Sequence, residues 1–127
     1  MASVDFKRLK VLVVDDEWFV RTTLRQILTQ MGVNEIFDAA DATSAQTATL
    51  KVQPGVVLCD VHMPGGDGLS YLAWLRLSQA AATPVVMLTS DSTERTVATA
   101  RGLKVDGYLL KPVSVNSVRR AIERAIT

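Results

Sequence analysis

The stretch Val56-Val57-Leu58-Cys59-Asp60-Val61-His62-Met63-Pro64-Gly65-Gly66-Asp67-Gly68 decides how this chain is read. Four apolar residues run unbroken into an aspartate, and a turn rich in Pro, Gly and Asp follows at once. A short apolar run bounded by turn residues reads as a strand. Its continuity, in place of alternation, implies burial on both faces, which is the habit of parallel sheets.

The same pattern recurs outward from there, at Val11–Val14, at Ile36–Ala40 in weaker form, at Val85–Leu88 and at Tyr108–Leu110. Helical spacings lie between these runs. Val20, Leu24, Ile27, Leu28 and Met31 share one face, with Gly32 placed to stop the helix. Leu69, Leu72 and Leu75 mark a second helix, Val97 to Ala100 a shorter one, and Val118, Ile122 and Ile126 a last one behind Ser114 as N-cap. The segment Ala42 to Val52 has few large apolar residues, and a helix is expected there because a parallel crossover requires one. The expectation is an α/β fold of five βα units: a five-stranded parallel sheet flanked by five helices, one domain over residues 1–127 with a short extension over 1–8.

Composition narrows the function. A net charge of +1 gives no basic field, so direct nucleic-acid binding is not expected. The single Cys59 cannot pair within the chain, and no Cys/His spacing suggests zinc; a cytoplasmic protein fits best. No apolar stretch approaches a membrane span, so no membrane partner is expected.

In open parallel sheets, ligands bind beyond the carboxyl ends of the strands. The residues there are Asp15 and Asp16 after the first run, Asp60 after the third, Thr89 after the fourth, and Lys111 with Pro112 after the fifth. Carboxylates gathered there would repel by roughly 4 kcal/mol per pair at about 4 Å and an effective dielectric near ~20, which calls for a cation. Mg²⁺ suits oxygen-only ligands, and Lys111 adds a compact positive charge. Asp60 is then a candidate nucleophile toward phosphorus, with Thr89 as hydrogen-bond donor to a phosphoryl oxygen.

These residues resemble, over the whole chain, the receiver domain of two-component response regulators, the CheY-like type. The resemblance rests on Val14-Asp15-Asp16-Glu17, on Cys59 through Gly68, on Thr89-Ser90 and on Gly107-Tyr108-Leu109-Leu110-Lys111-Pro112, in the family's order and spacing. It implies a flavodoxin-like sheet in the order 2-1-3-4-5. It implies Asp60 as phosphoacceptor and Mg²⁺ held by Asp16, Asp60 and the backbone carbonyl of His62, with Asp15 joining through water. It also implies Thr89 and Tyr108 as a phosphorylation switch. The implied partners are a histidine kinase or histidine phosphotransfer protein as donor and an unknown downstream protein, for a monomer or phosphorylation-dependent dimer. Such a domain promotes only its own phosphorylation and dephosphorylation and is not an enzyme in the usual sense. The competing reading is a phosphorylation-independent interaction module with a vestigial pocket. A haloacid-dehalogenase phosphatase would need a DxD motif after the first strand, and a flavin protein a Ser/Thr/Gly-rich phosphate loop there; neither is present.

Ordinary roles compete at each position. Asp15 and Asp16 also suit a helix N-terminus, Thr89 a strand end, Lys111 a solvated surface, and Cys59 a core position. The His62 side chain and Asp91 flank the expected phosphate and are candidates to tune dephosphorylation. Trp18 and Trp74 read either as contact surface or as packed aromatics. Arg21 and Arg25, with Arg119, Arg120 and Arg124, suggest a basic docking face. Gly66, Ser90, Lys104 and Val113 depart from the family's usual residues, and Lys104 should strain or reshape its turn.

Overall fold

The computed structural model describes residues 4–63, 68–90 and 102–127. Strands β1 (Lys10–Val14), β2 (Glu35–Ala39), β3 (Val56–Asp60), β4 (Val85–Thr89) and β5 (Gly107–Leu110) form one parallel sheet in the order 2-1-3-4-5. Four helices are described: α1 (Trp18–Gln30), α2 (Ala42–Val52), α3 (Gly68–Arg76) and, at the C-terminus, α4 (Val115–Ile126). The helix expected at Val97 to Ala100 lies outside the described residues, as do Gly66, Asp67 and Asp91.

The unbroken apolar runs are the central strands. β3 and β4 are buried along their whole length and β1 from Val11 onward, whereas β2 and β5 form the partly exposed edges. Alternation along each strand sorts the side chains to two faces. Val11, Val13, Val56, Leu58, Val86 and Leu88 meet α1 and α4 through Leu24, Leu28, Val118 and Ile122. Leu12, Val14, Val57, Cys59, Val85 and Met87 meet α2 and α3 through Ala45, Tyr71, Leu72 and Leu75. Each fully buried aliphatic side chain contributes roughly 1.5–3 kcal/mol, so both faces are needed to hold the sheet. Phe6 and Leu9 pack onto the first cluster and tie the N-terminal extension to it.

Helix ends follow the local chemistry. Gly32 takes φ +98°, and the Gly32 and Val33 N–H groups close onto the Thr29 and Leu28 carbonyls, a Schellman ending to α1. Ser114 caps α4, and its own N–H is returned to the Ser117 hydroxyl at 2.9 Å. Asp41 caps α2 by accepting the Ser44 N–H at 2.7 Å; this hydrogen bond favours the carboxylate and lowers the Asp41 pKa. The thin α2 leaves room beside it. There Tyr71 is buried with its hydroxyl 2.7 Å from Thr49 Oγ1, and burial raises its pKa. Trp74 lies against the Tyr71 ring at 5.9 Å, so packing accounts for it.

The strand boundaries shift by one residue, and β1 and β5 each begin one residue before their apolar runs. β2 starts and ends one residue earlier than Ile36–Ala40, because the ladder with β1 closes at Val14 opposite Ala39 and the Asp15 N–H takes the Ala39 carbonyl. β3 and β4 run one residue further than the apolar runs, through Asp60 and Thr89. At the opposite end of the sheet, Lys104 adopts φ +60° as its substitution suggested. Its carbonyl accepts from Arg76 Nε at 3.1 Å and Nη2 at 2.9 Å. The same guanidinium bonds the Ala81 and Thr83 carbonyls and Asp106 Oδ2, and Asp106 Oδ2 also accepts the Val85 N–H. This fork ties the end of α3 to the starts of β4 and β5, and offsets the roughly 1 kcal/mol of a left-handed lysine.

Candidate functional site

The sheet order sets the strand ending in Asp60 between the one leading to Asp15 and Asp16 and the one ending in Thr89. One oxygen from each of Asp15, Asp16 and Asp60 lies within 4.8 Å of the others. Asp15 and Asp60 are buried and Asp16 is exposed at the mouth. Lys111 extends from the end of β5, where its N–H takes the Thr89 carbonyl at 2.8 Å, and reaches across the sheet. Its Nζ donates to Asp15 Oδ2 at 2.9 Å and lies 3.4 Å from Asp60 Oδ1. The Lys111–Pro112 peptide is cis.

The ordinary reading of Asp15 also holds in part. Its Oδ1 accepts the Glu17 N–H at 2.9 Å, shaping the turn into α1, whose N-cap residue is Glu17. Its two oxygens are thus divided between that turn and Lys111. The Asp60 carboxyl is pushed above its ordinary pKa by burial and by the charge of Asp15, against the opposing pull of Lys111 and the His62 N–H. Burial works against the Lys111 ammonium, but the hydrogen bond and charge of Asp15, together with Asp60, outweigh it and raise its pKa. Three carboxylates and one ammonium leave a formal charge of −2 in this mouth. An all-oxygen donor set carrying that charge fits a hard divalent cation such as Mg²⁺.

His62 is exposed, with its N–H 3.4 Å from Asp60 Oδ1. Thr89 is buried at the last position of β4. Tyr108 pairs with Met87 across the β4–β5 ladder and packs on the α2/α3 side. Because strand side chains alternate, Thr89 faces the same side as Met87 and Tyr108. Cys59 is buried, its Sγ 3.4 Å from the Asp60 carbonyl oxygen.

The basic face is altered on its α1 side. Arg21 and Arg25 turn toward β2, where they pair with Asp38 at 3.6 and 3.8 Å, and Arg21 also donates to the Asp15 carbonyl. Large apolar groups occupy the exposed rim: Trp18 and Phe19 are 69% and 71% exposed at the start of α1. Phe19 borders a groove of about 370 Å³ shared with Val20, Ser90, Lys111, Pro112 and Val113. Gly68 was hidden within the turn motif. A Cβ there would stand 1.8 Å from the Asp60 carbonyl oxygen, so only glycine lets α3 begin against the end of β3.

A sequence profile described as the response regulator receiver domain matches residues 11–123. This chain belongs to that family. The receiver domain is 31% identical over 118 residues to the transcriptional regulatory protein PdtaR of Mycobacterium tuberculosis, across 93% of this chain and 57% of that protein. It is 35% identical over 124 residues to a protein-glutamate methylesterase/protein-glutamine glutaminase of Archaeoglobus fulgidus, across 93% of this chain and 35% of that one. The chain thus spans about a third to somewhat over half of the length of these curated relatives. Among solved structures, the Vibrio cholerae chemotaxis protein CheY4 superposes with a TM-score of 0.87 at 27% identity, covering 92% of this chain and 98% of that one. The receiver domain of a modulated diguanylate cyclase from Desulfovibrio desulfuricans gives 0.83 at 28% identity, covering 93% of each. Among the described residues, no helix is long and apolar enough to cross a membrane.

Proposed function

We propose that this receiver domain accepts a phosphoryl group on Asp60 in the presence of Mg²⁺ and converts it into a change of surface. The observation that carries the reading is the Lys111 ammonium set between Asp15 and Asp60, within a cluster that still carries two uncompensated negative charges. Asp15, Asp16, Asp60 and the His62 carbonyl are the candidate holders of the ion. When bound, the ion would withdraw charge from the transferring oxygens.

An Asp60 oxygen forms a P–O bond as the P–N bond of a donor phosphohistidine breaks and the imidazole departs. Lys111, already within 3.4 Å of Asp60, supplies the second positive charge to the arriving phosphoryl group. The Thr89 hydroxyl is assigned to hydrogen-bond that group, and Tyr108, on the same face of the sheet, to follow its movement. The donor is a histidine kinase or histidine phosphotransfer protein, and the exposed Trp18–Phe19 rim is apolar surface that such a partner would cover. No independent substrate is turned over. The receiver unit is assigned to the whole chain.

Intact-mass spectrometry after treatment with acetyl phosphate and Mg²⁺ tests this reading. The native chain should gain one phosphoryl mass, and Asp60→Asn or EDTA should abolish the gain. An unmodified native chain, or an equally modified Asp60→Asn, would overturn it.

A further inference from the structure

Arg21 lies on α1 in the spacing of a surface residue, yet its side chain is only 16% exposed. Its Nη1 donates to the Asp15 backbone carbonyl at 2.6 Å, while its Nε lies 3.6 Å from Asp38 Oδ2 on β2. Arg25, one turn later and 47% exposed, reaches the other oxygen of Asp38 at 3.8 Å. The carbonyl held by Arg21 belongs to the peptide that joins Asp15 to Asp16. Asp15 is already fixed at both carboxylate oxygens by Glu17 and Lys111. Rotation of that peptide would redirect the Asp16 carboxylate, which is exposed at the end of β1.

We propose that Arg21 is a positioning residue for the acidic pocket. By clamping the Asp15–Asp16 peptide against β2 it aims Asp16 toward Asp60, and so sets the affinity of the cluster for a divalent cation. This assignment rests on the Mg²⁺ reading above.

Coulombic and positional effects have opposite signs here, which makes the assignment testable. A fixed positive charge beside the pocket repels an incoming cation, so charge alone predicts that Arg21→Gln and Arg25→Gln both tighten Mg²⁺ binding and that Arg21→Lys leaves it unchanged. Positioning predicts weaker binding for Arg21→Gln and also for Arg21→Lys, because a single ammonium cannot span the carbonyl and Asp38 as the guanidinium fork does.

The experiment is calorimetric titration of Mg²⁺ into the full chain and the three variants, each first shown to be folded by thermal denaturation without metal. Both Arg21 variants should bind about 10-fold more weakly, the lower end of what loss of an outer support costs a metal site. Arg25→Gln should bind no more weakly than the native chain. Folded Arg21 variants with native affinity, or tighter binding by both Gln variants, would overturn the assignment alone. If Arg21→Gln does not fold, Arg21→Lys decides by the same criterion. A native chain that binds no Mg²⁺ would overturn this assignment and the phosphoacceptor reading together.

Discussion

Asp60 is the acidic-pocket carboxylate whose ionisation the fold resists, through burial first and the neighbouring Asp15 second. The folded chain therefore holds the Asp60 proton to higher pH than the unfolded chain does. The stability linked to that proton is fully present below the ordinary carboxylate value of 3.8 and is lost as pH rises through the higher folded value. At neutral pH without divalent cations, Asp60→Asn is expected to melt above the native chain, and the gap should close on acidification below about that ordinary value. Mg²⁺ should narrow the gap at neutral pH by stabilising the native chain alone. Circular-dichroism melts over a pH series, with and without Mg²⁺, check both statements. Gly68 makes a second prediction at this scale. An added Cβ meets backbone atoms of Asp60, which cannot swing aside as a flexible side chain can. Gly68→Ala should lose about 1–3 kcal/mol in urea denaturation and slow labelling by acetyl phosphate. The acidic residues and Lys111 were legible because each follows an apolar run, at the carboxyl ends of the strands where open parallel sheets bind ligands. Gly68 was not, since its neighbours in the turn offer ample glycine, and Arg21 was not, since helical spacing alone places it at the surface.

Among the elements, local signals carried furthest where the chemistry is local. Ser114 opened its helix and Gly32 closed its own as expected, and α2 forms over Ala42–Val52 despite its sparse apolar content, since it needs only small residues to sit on β1 and β2. The strand ends erred by one residue because hydrophobicity marks burial, whereas pairing continues through Asp60 and Thr89 into the site. The Arg76 fork was illegible for another reason: its partners Lys104 and Asp106 lie 28 and 30 residues away. Arg76→Ala is expected to cost about 2–3 kcal/mol in denaturant unfolding, the scale of a hydrogen bond to a charged group. Arg76→Lys should recover only part of that, for want of the fork. Phosphoryl labelling of either folded variant should match the native chain, because the fork sits at the opposite end of the strands from Lys111.

For the molecule as a whole, the strand order came from the family resemblance. Periodicity could establish that five strands are parallel and covered on both faces, but it cannot rank strands that are all apolar. The observed order puts β3 at the centre and β5 at an edge, with β4 between Asp60 and Tyr108, so on the proposed reading a change at Asp60 would reach Tyr108 across β4. In the proposed switch, phosphate can favour one of two conformations only through its differential contacts with them, and Thr89 is the assigned contact. Thr89→Ala should still gain the phosphoryl mass, while the change in amide hydrogen exchange around Tyr108 seen on phosphorylating the native chain should disappear. Paired mass and exchange measurements on the two proteins check this. Cys59 gives the same architecture a practical use. As the chain's one sulfhydryl, enclosed on the innermost strand, it is reached by an alkylating reagent only when the middle of the molecule breathes. Its labelling rate therefore counts those openings without any engineered probe, and comparing the rate with and without divalent cation reads how far an occupied pocket quietens them.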